Sequence, residues 1–337
     1  MSTLNKQYRL AARPVGLPKD SDWEFTSTEI PTPGEGEVLV KVHYASLDPA
    51  MRGWMNDGKS YIAPVGIGEV MRAGTVGEIV ASNNAGFAVG DFVSGMLGIQ
   101  QYGLSNGSDL TKVDPNLSPL ENYLGGIGMP GLTAYFGLLD VGAMQDGETV
   151  LVSGAAGAVG SIVGQIAKIK GGKAIGIAGG ADKCKYVVDE LGFDACVDYK
   201  SDSFIDDLNA ALGGKGVDVY FDNVGGEILD IALARINRHA RVVICGAISQ
   251  YNNTTPLRGP QNYLNLLVQH ARMEGFVVFD YLKQYGEGVK ALATWHAEGK
   301  LKFKSHVETG IANFPATLLK LFSGENFGKL VLTIKED

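Results

Sequence analysis

Several familiar features are scarce or missing in this chain. Its 337 residues contain three cysteines and no C-x-x-C pair, which excludes a disulfide framework and favours a reducing compartment. The five histidines are scattered, and none lies near a cysteine at the spacing of a zinc site, so no metal is predicted. Lys and Arg form no cluster that could follow a phosphate backbone, and with a net charge of −8 nucleic acid is not an expected partner. The chain also lacks an apolar run of membrane-spanning length and a signal-peptide core at its start, so we expect a cytoplasmic protein without membrane contact.

The length exceeds what one hydrophobic core usually supports, so two domains are expected. Short Val-rich runs at 37–42, 74–80 and 91–94 alternate with proline and glycine, which is typical of an antiparallel β domain. The last apolar run, at 329–334, is predicted to be a strand that returns to this domain. The sequence thus predicts a β-rich domain formed by residues 1–124 and 303–337, and a second domain formed by residues 125–302.

The most informative segment follows a predicted strand at 150–153. Gly154, Gly157 and Gly160 recur there at every third position and run into an amphipathic stretch. Glycines in this position allow a tight turn, let backbone N–H groups approach a pyrophosphate, and let the next helix pack close to the strand. The spacing differs from the common G-x-G-x-x-G form, so the string alone also suits a plain turn at which a helix packs closely on a sheet.

The segments beyond this turn alternate between strand and helix patterns. Helices are predicted at 161–170, 182–191 and 204–212, and strands at 173–178, 195–198, 217–222, 241–245 and 275–279. With the strand at 150–153, these segments predict an open, doubly wound parallel sheet of the α/β class. Its ligand is expected in a crevice at the carboxyl ends of the strands.

The end of the second strand in this sheet indicates which nicotinamide cofactor binds. NAD sites place an Asp or Glu there to hold the ribose 2′-OH, but this chain has the sequence AGGA at 178–181. Lys183 follows, and its cation could pair with the 2′-phosphate of NADPH. Asp182 could serve as the NAD carboxylate, but we interpret it as the N-cap of the next helix. NADPH is therefore the expected cofactor, and the alternative for Lys183 is a solvated surface lysine.

Motifs spread over nearly the whole chain carry a resemblance to a known family. They are SLDPAMRG at 46–53, GMPGLTAY at 128–135, AAGAVG at 155–160, FDNVGG at 221–226, CGAISQYN at 245–252 and NFGK at 326–329. The chain resembles the zinc-independent branch of the medium-chain dehydrogenase/reductase superfamily. Within that branch it resembles the leukotriene B4 dehydrogenase and prostaglandin reductase group of alkenal/one oxidoreductases. The strings SY at 60–61 and GGADKC at 179–184 are similar to those of bacterial NADPH-dependent curcumin reductases.

The resemblance implies a GroES-like β-rich catalytic domain and a Rossmann domain that binds NADPH. It implies that a small hydrophobic α,β-unsaturated ketone or aldehyde receives hydride at its β-carbon, and that the resulting enolate takes a proton without help from a metal. It implies contacts of the pyrophosphate with Gly157, Ala158, Val159 and Gly160, of the 2′-phosphate with Lys183 and Tyr199, and of a ribose with Asn223. It implies nicotinamide contacts with Cys245, Gly246, Ala247, Ile248, Ser249, Tyr251, Phe276, Val277, Val278 and Asn326. It also implies a homodimer whose sheets join edge to edge.

An enolate needs a hydrogen-bond donor near its oxygen, and Tyr251 and Tyr61 are the candidates. For each tyrosine the alternative is a packing role, and bulk water could supply the proton instead. Arg52 could face a cleft, but we favour a structural role in binding loop carbonyls. The punctuated segment at 248–261 is long enough to be a lid over the substrate.

Two rival functions remain open at this stage. An NADPH:quinone reductase of the same superfamily would use the same cofactor site. A non-catalytic NADPH-binding sensor is also possible, because a fold and a cofactor site do not guarantee turnover.

Overall fold

The computed structural model describes residues 4–334, which form two compact units. One unit combines the chain up to residue 124 with the chain from residue 305, and the other consists of residues 125–304. Within the described residues, no helix is both long enough and apolar enough to cross a membrane.

The first unit begins with a run of strands and one short helix. Its elements are β1 (Leu4–Leu10), β2 (Trp23–Glu29), β3 (Val38–Ser46), α1 (Ala50–Trp54), β4 (Thr75–Ser82), β5 (Phe92–Gly95), β6 (Tyr102–Ser105) and β7 (Thr111–Val113). The strands β1 and β2 pair as an antiparallel ribbon, and β3, β4, β5 and β7 follow one another in a larger sheet, with β6 also paired to β3.

The second unit contains a parallel sheet with helices between its strands. In chain order it has α2 (Met129–Phe136), β8 (Thr149–Ser153), α3 (Gly160–Ile169), β9 (Lys173–Ala178), α4 (Ala181–Asp189), β10 (Ala195–Asp198), α5 (Phe204–Leu212), β11 (Val217–Asp222), α6 (Gly226–Leu233), β12 (Ile236–Ile244), α7 (Leu264–Val268), β13 (Arg272–Gly275) and α8 (Tyr285–Ala297). The chain then returns to the first unit with β14 (Ser305–Thr309), α9 (Phe314–Ser323) and β15 (Lys329–Thr333).

The C-terminal strands complete the larger sheet of the first unit. The strand β15 pairs antiparallel with β3, where Val331 lies opposite Ser46, and β14 pairs parallel with β15. The side chains of β3 and β15 are nearly all buried, so both strands lie inside the core. The predicted strand at the C-terminus therefore joins the β-rich unit, and residues 1–3 and 335–337 of the predicted β-rich domain lie outside the described residues.

The sheet of the second unit has the strand order β10-β9-β8-β11-β12-β13. All of its pairings are parallel, and the chain runs outward from β8 in one direction before it returns to β11 and runs outward in the other. The order reverses between β8 and β11, and a doubly wound sheet binds its ligand at the carboxyl ends of the strands on either side of such a point. The α/β fold predicted from the strand and helix alternation is confirmed.

The prediction for the last strand of this sheet is wrong in its position. The apolar run predicts a strand at 275–279, but β13 ends at Gly275, and a 3-10 helix covers Val278–Gln284. The ring of Phe276 lies edge-on to Phe221, so the chain turns inward after β13. The Tyr285 hydroxyl donates a hydrogen bond to the carbonyl of Val278 at 3.1 Å. In a longer β13 this carbonyl would accept a backbone N–H of the neighbouring strand instead.

Candidate dinucleotide site

The glycine-rich turn between β8 and α3 brings backbone very close to backbone. Gly154 has φ +62°, a left-handed conformation that favours glycine. A Cβ on Gly160 would lie 2.3 Å from the carbonyl oxygen of Gly154, so no side chain fits there. The Gly157 N–H donates to the same carbonyl at 2.9 Å. The turn therefore needs glycine at its first and last positions for separate steric reasons.

The turn presents backbone N–H groups at the start of α3. The N–H of Ser161 donates to the Gly157 carbonyl at 3.1 Å, whereas Ala158 and Val159 donate to no acceptor among the described residues. The first N–H groups of any helix lack intrahelical partners, and together with the helix dipole they favour an anion. The geometry thus suits a pyrophosphate at the residues for which the sequence predicted it.

The point where the strand order reverses is held by a network around one buried carboxylate. Oδ1 of Asp222, at the end of β11, accepts hydrogen bonds from the Ser153 hydroxyl at 2.9 Å and from the Tyr220 hydroxyl at 2.8 Å. It also accepts the N–H groups of Val224 and Gly225 at 3.0 and 2.9 Å. Oδ2 of the same carboxylate is buried and has no hydrogen-bond partner among the described residues. Asp222 therefore fixes the turn that follows β11.

Asn223 is tied to the neighbouring strand by its backbone and its side chain. Its N–H donates to the Ser153 hydroxyl at 2.9 Å, and its amide Nδ2 donates to the Ser153 carbonyl at 2.8 Å. The amide oxygen remains at the edge of the sheet, where it could accept a bond from a ribose hydroxyl. The ribose role of Asn223 stays a prediction.

The segment after β12 lies along the turn that follows β11. The N–H groups of Cys245 and Gly246 donate to the Asp222 carbonyl at 2.9 and 3.1 Å. Ile248 donates to the Asn223 carbonyl at 3.3 Å, and the hydroxyl of Ser249 donates to the Val224 carbonyl at 2.6 Å. These bonds fix the backbone of the segment predicted to pass beside the nicotinamide.

Cys245 in this segment is a poor nucleophile. Burial of its thiol, and to a lesser extent the nearby Asp222 carboxylate, raise the pKa of Cys245 to about 12. The thiolate is the reactive form of cysteine, and it is scarce at neutral pH when the pKa is this high.

The carboxyl ends of β9 and β10 form a corner that carries two lysines. Gly180 has φ +98° and is the N-cap of α4, and its N–H donates to Oδ1 of Asp198 at 2.8 Å. The same oxygen accepts the N–H of Lys200 at 2.9 Å. The interpretation of Asp182 as the N-cap is wrong, because Asp182 lies in the first turn of α4 and makes no capping bond there.

The side chains of Tyr199 and Lys200 lie over the backbone of Gly179. A Cβ on Gly179 would come within 2.8 Å of the Tyr199 ring and 3.1 Å of Cε of Lys200. Lys183 is half-buried, and the pKa of its ammonium is lowered by burial and, second, by the charge of Lys200. Two cations that repel one another in a partly buried place are stabilised by a bound anion.

Sequence reasoning did not identify Lys200 as a member of this corner. The signal was available, because Lys200 follows Tyr199 directly and both lie at the end of a strand that neighbours β9. Tyr199 is about half exposed, which leaves its ring and hydroxyl accessible.

Both candidate tyrosine donors accept a hydrogen bond from a nearby N–H group. The hydroxyl of Tyr251 accepts the N–H of Ala247 at 3.1 Å, and the hydroxyl of Tyr61 accepts Nε1–H of Trp54 at 3.1 Å. In both bonds the phenol oxygen is the acceptor, a role compatible with donation of its hydrogen to another atom. Tyr251 belongs to the second unit, and Tyr61 belongs to the first and is 56% exposed.

The remaining predicted nicotinamide contacts have packing or backbone partners. The Phe276 ring lies against Phe221 and Tyr281, and Val277 accepts the N–H of Asp280 at 3.0 Å. Val278 is buried. Asn326, which belongs to the first unit, donates from Nδ2 to the Gly328 carbonyl at 3.1 Å.

Arg52 has the structural role that the sequence favoured. Its buried guanidinium donates to the carbonyls of Gly16 and Pro14 at 2.9 and 3.0 Å, and to Oδ1 of Asn56 at 2.5 Å. These bonds occupy each of its three nitrogens.

Comparison with known proteins gives the family. Residues 6–113 match the family described as the N-terminal domain of oxidoreductase, and residues 158–294 match the family described as zinc-binding dehydrogenase. The NADPH-dependent curcumin reductase of Escherichia coli is 41% identical over 99% of this chain and 98% of its own length. Prostaglandin reductase 1 of Bos taurus is 40% identical over 97% of this chain and 98% of its own length. The chain belongs to the zinc-independent group of medium-chain dehydrogenases/reductases.

A solved structure has the same fold over nearly the full length of this chain. The crystal structure of CurA from Vibrio vulnificus in complex with NADPH has 44% sequence identity and a TM-score of 0.93, and the match covers 98% of this chain and all of that one. Residues 4–334 of this reductase contain no group of three or more His, Cys, Asp and Glu side chains that could hold a metal ion.

Proposed function

We propose that this protein uses NADPH to reduce the activated carbon–carbon double bond of α,β-unsaturated ketones or aldehydes. The similarity to a curcumin reductase and a prostaglandin reductase over essentially full length carries the proposal. Curcumin is a conjugated ketone, so the expected substrate is a hydrophobic molecule with a double bond next to a carbonyl. An apolar binding cleft discriminates weakly among apolar molecules of similar shape, so we expect several enones to react.

The described residues fit NADPH at two separate places in the second unit. The turn around Gly154 and Gly160 suits the pyrophosphate, because it tolerates no side chain and exposes N–H groups at the start of α3. Lys183, Tyr199 and Lys200 suit the 2′-phosphate, because two neighbouring cations lie where an NAD site would carry a carboxylate.

NADPH supplies the hydride, and the protein must then stabilise the negative charge that develops on the substrate oxygen. The hydroxyls of Tyr251 and Tyr61 are our candidate donors to that oxygen. Asn223 and the segment 245–249 hold the ribose and the nicotinamide in this proposal, with Phe276, Val277, Val278 and Asn326 as further contacts. We assign no step to Cys245, because its raised pKa keeps it in the thiol form.

The two units divide this work in our proposal. The unit built on β3 and β15 is the GroES-like substrate domain, and the unit built on β8 and β11 is the NADPH domain. The segment 248–261, predicted to be a lid, begins with a 3-10 helix at Ile248–Gln250. Its residues 253–259 are exposed and contain no helix or strand, which is compatible with a lid formed by this part of the segment. All three cysteines are free thiols, which supports the reducing cytoplasm as the location of the protein.

A homodimer through the edge of the parallel sheet completes the proposal. Among the described strands, β13 ends the sheet and pairs only with β12, and its side chains are exposed. Leu264, Leu267 and Val268 of α7 are also exposed, together with Met273 of β13. An open strand edge beside exposed apolar side chains is suited to a second copy of the chain. Light scattering should give the mass of a dimer for the wild type and of a monomer for Leu267→Glu.

Steady-state turnover tests the chemistry. NADPH oxidation is followed with a vinyl ketone, an alkenal, curcumin and a simple quinone, with NADH in parallel and product analysis for the saturated carbonyl. The proposal expects enone consumption with NADPH preferred. Turnover of the quinone alone would assign the protein to quinone reduction, and tight NADPH binding without any turnover would indicate a sensor.

A further inference from the structure

Two cysteines lie side by side behind the corner that carries the lysines. Cys184 lies in the first turns of α4, Cys196 lies on β10, and their thiols are hydrogen bonded to each other. Both line an open cavity of about 540 Å³, as does Asp198. Both residues are partly exposed, so a molecule as small as peroxide can approach them from solvent.

The two thiols differ in reactivity. The Cys196 thiol donates to the Cys184 sulfur, which lowers the pKa of Cys184 against the opposing effects of burial and Asp198. The same bond and burial raise the pKa of Cys196. Cys184 also lies near the N-terminus of α4, whose partial positive charge favours a thiolate. A sulfur with a lowered pKa beside a second thiol is the usual arrangement of a cysteine that is oxidised reversibly.

Each cysteine is linked through the backbone to the lysine corner. Lys183 directly precedes Cys184, and Cys196 lies two residues before Asp198 on the same strand. Oδ1 of Asp198 holds the N–H groups of both Gly180 and Lys200. A disulfide brings its sulfurs to about 2.0 Å, well inside the contact distance of two thiols, so we expect its formation to shift the packing of α4 against β10.

We propose that Cys184 and Cys196 form a reversible disulfide under peroxide, and that this bond weakens the binding of NADPH at the adjacent 2′-phosphate site. The inference rests on the proposed assignment of Lys183 and Lys200 to the 2′-phosphate. Its physiological meaning would be a reductase whose demand for NADPH falls when the cell is oxidised.

The chemistry consumes one peroxide for each disulfide. The Cys184 thiolate attacks an oxygen of hydrogen peroxide, an S–O bond forms, the O–O bond breaks, and the departing hydroxide is protonated to water. Cys196 then attacks the Cys184 sulfenic sulfur, an S–S bond forms, the S–O bond breaks, and the second hydroxide leaves as water with the proton of the Cys196 thiol. Both thiols are thereby oxidised together by two electrons, and an added dithiol reverses the reaction.

Peptide mapping tests whether the bond forms. The full-length protein is treated with hydrogen peroxide, its free thiols are blocked with N-ethylmaleimide, and it is digested with trypsin without reduction. Cleavage after Lys183, Lys185 and Lys200 separates the two cysteines, so a disulfide must join peptide 184–185 to peptide 186–200. We expect this linked pair in the wild type and in Cys245→Ser, and its absence in Cys184→Ser and Cys196→Ser.

Cofactor titration on the same samples tests the consequence, and it needs no enone turnover. Oxidation should raise the Kd for NADPH about tenfold, leave the Kd for NADH unchanged, and be reversed by dithiothreitol. The wild type serves as its own control before and after oxidation, so the result does not depend on how well a variant folds.

Three results would overturn the proposal: no linked peptide, a linked peptide with an unchanged Kd for NADPH, or an equal loss of NADPH binding in oxidised Cys196→Ser. A failure of the proposed 2′-phosphate site is distinguishable from these. In that case Lys183→Ala would leave the Kd for NADPH of the reduced protein unchanged, whatever the peptide map shows.

Discussion

Removal of the Lys183 ammonium should weaken NADPH binding and leave NADH binding nearly intact. Lys183 is half-buried beside the charge of Lys200, and burial and, second, that charge lower the pKa of its ammonium. A charge-assisted hydrogen bond contributes about 1.5–3 kcal/mol, which corresponds to about a 10- to 150-fold change in affinity. Because Lys200 remains to hold the phosphate, we expect Lys183→Ala to raise the Kd for NADPH by a factor near the lower limit, about 10–30-fold.

Lys185→Ala is a matched control on the same helix. Lys185 is two residues further along α4, its side chain is 77% exposed, and it pairs with Asp189 on the surface. An exposed pair of this kind is screened by solvent and contributes little to the helix, and it lies outside the lysine corner. Both cofactors should therefore bind to Lys185→Ala with wild-type affinity.

The assay is a fluorescence titration with NADPH and with NADH over a pH series. As pH rises through the lowered pKa of Lys183, the cation is lost, and the ratio of NADPH to NADH affinity should fall in the wild type. In Lys183→Ala this decline should be weaker. The reasoning is refuted if Lys183→Ala weakens NADPH and NADH equally, or if Lys185→Ala reproduces its effect.

Three further substitutions test other parts of the structure. Gly160→Ala places a methyl 2.3 Å from the Gly154 oxygen, so in thermal melts it should lower the free energy of unfolding by about 1–3 kcal/mol, and it should also impair NADPH binding. The control Gly286→Ala, in the open first turn of α8, should be neutral or stabilising in the same melts. Asp222→Ala removes the acceptor of four hydrogen bonds, whose donors belong to Ser153, Tyr220, Val224 and Gly225, so in urea titrations it should lower the free energy of unfolding by about 3–5 kcal/mol. Asp222→Asn retains one oxygen as an acceptor and should lower the free energy of unfolding by less. Lys329→Met removes the buried ammonium that donates to Asp48 at 2.6 Å and to the Leu47 carbonyl at 2.8 Å, and should cost about 3 kcal/mol; an unchanged urea midpoint would contradict this.

The parts of the fold that could be predicted from sequence are those decided by local patterns. The strands Lys173–Ala178, Ala195–Asp198 and Val217–Asp222 have the predicted bounds, because each is a short apolar run between turn residues. The glycine spacing identified the turn at Gly154 because its steric requirement depends on neighbours in the chain. Local patterns also gave the correct helix at Phe204–Leu212, which ends at Gly213 in a left-handed conformation.

The features that sequence reasoning missed depend on the arrangement of the sheet. The end of β13 is set by the packing of Phe276 against Phe221, which are far apart in the chain. The role of Asp198 depends on the pairing of β9 with β10, which brings it to Gly180 and makes it the carboxylate of that corner in place of Asp182. Lys200 was missed for the same reason. A strand pattern predicts where a strand lies but does not give the order of strands in the sheet.

Two motifs that looked independent in the sequence are joined in the folded first unit. The motif at 46–53 contains Asp48, and the motif at 326–329 ends in Lys329, whose ammonium pairs with that carboxylate while the Ser46 hydroxyl also donates to it. Lys329 is almost fully buried, and a buried cation is tolerated only when it is paired and hydrogen bonded, so each motif supplies what the other requires. The pair also fixes the start of β15 next to the end of β3, where Val331 lies opposite Ser46. The charges of Asp48 and Lys329 are therefore explained by the assembly of this sheet, and the proposed reaction assigns no step to either side chain.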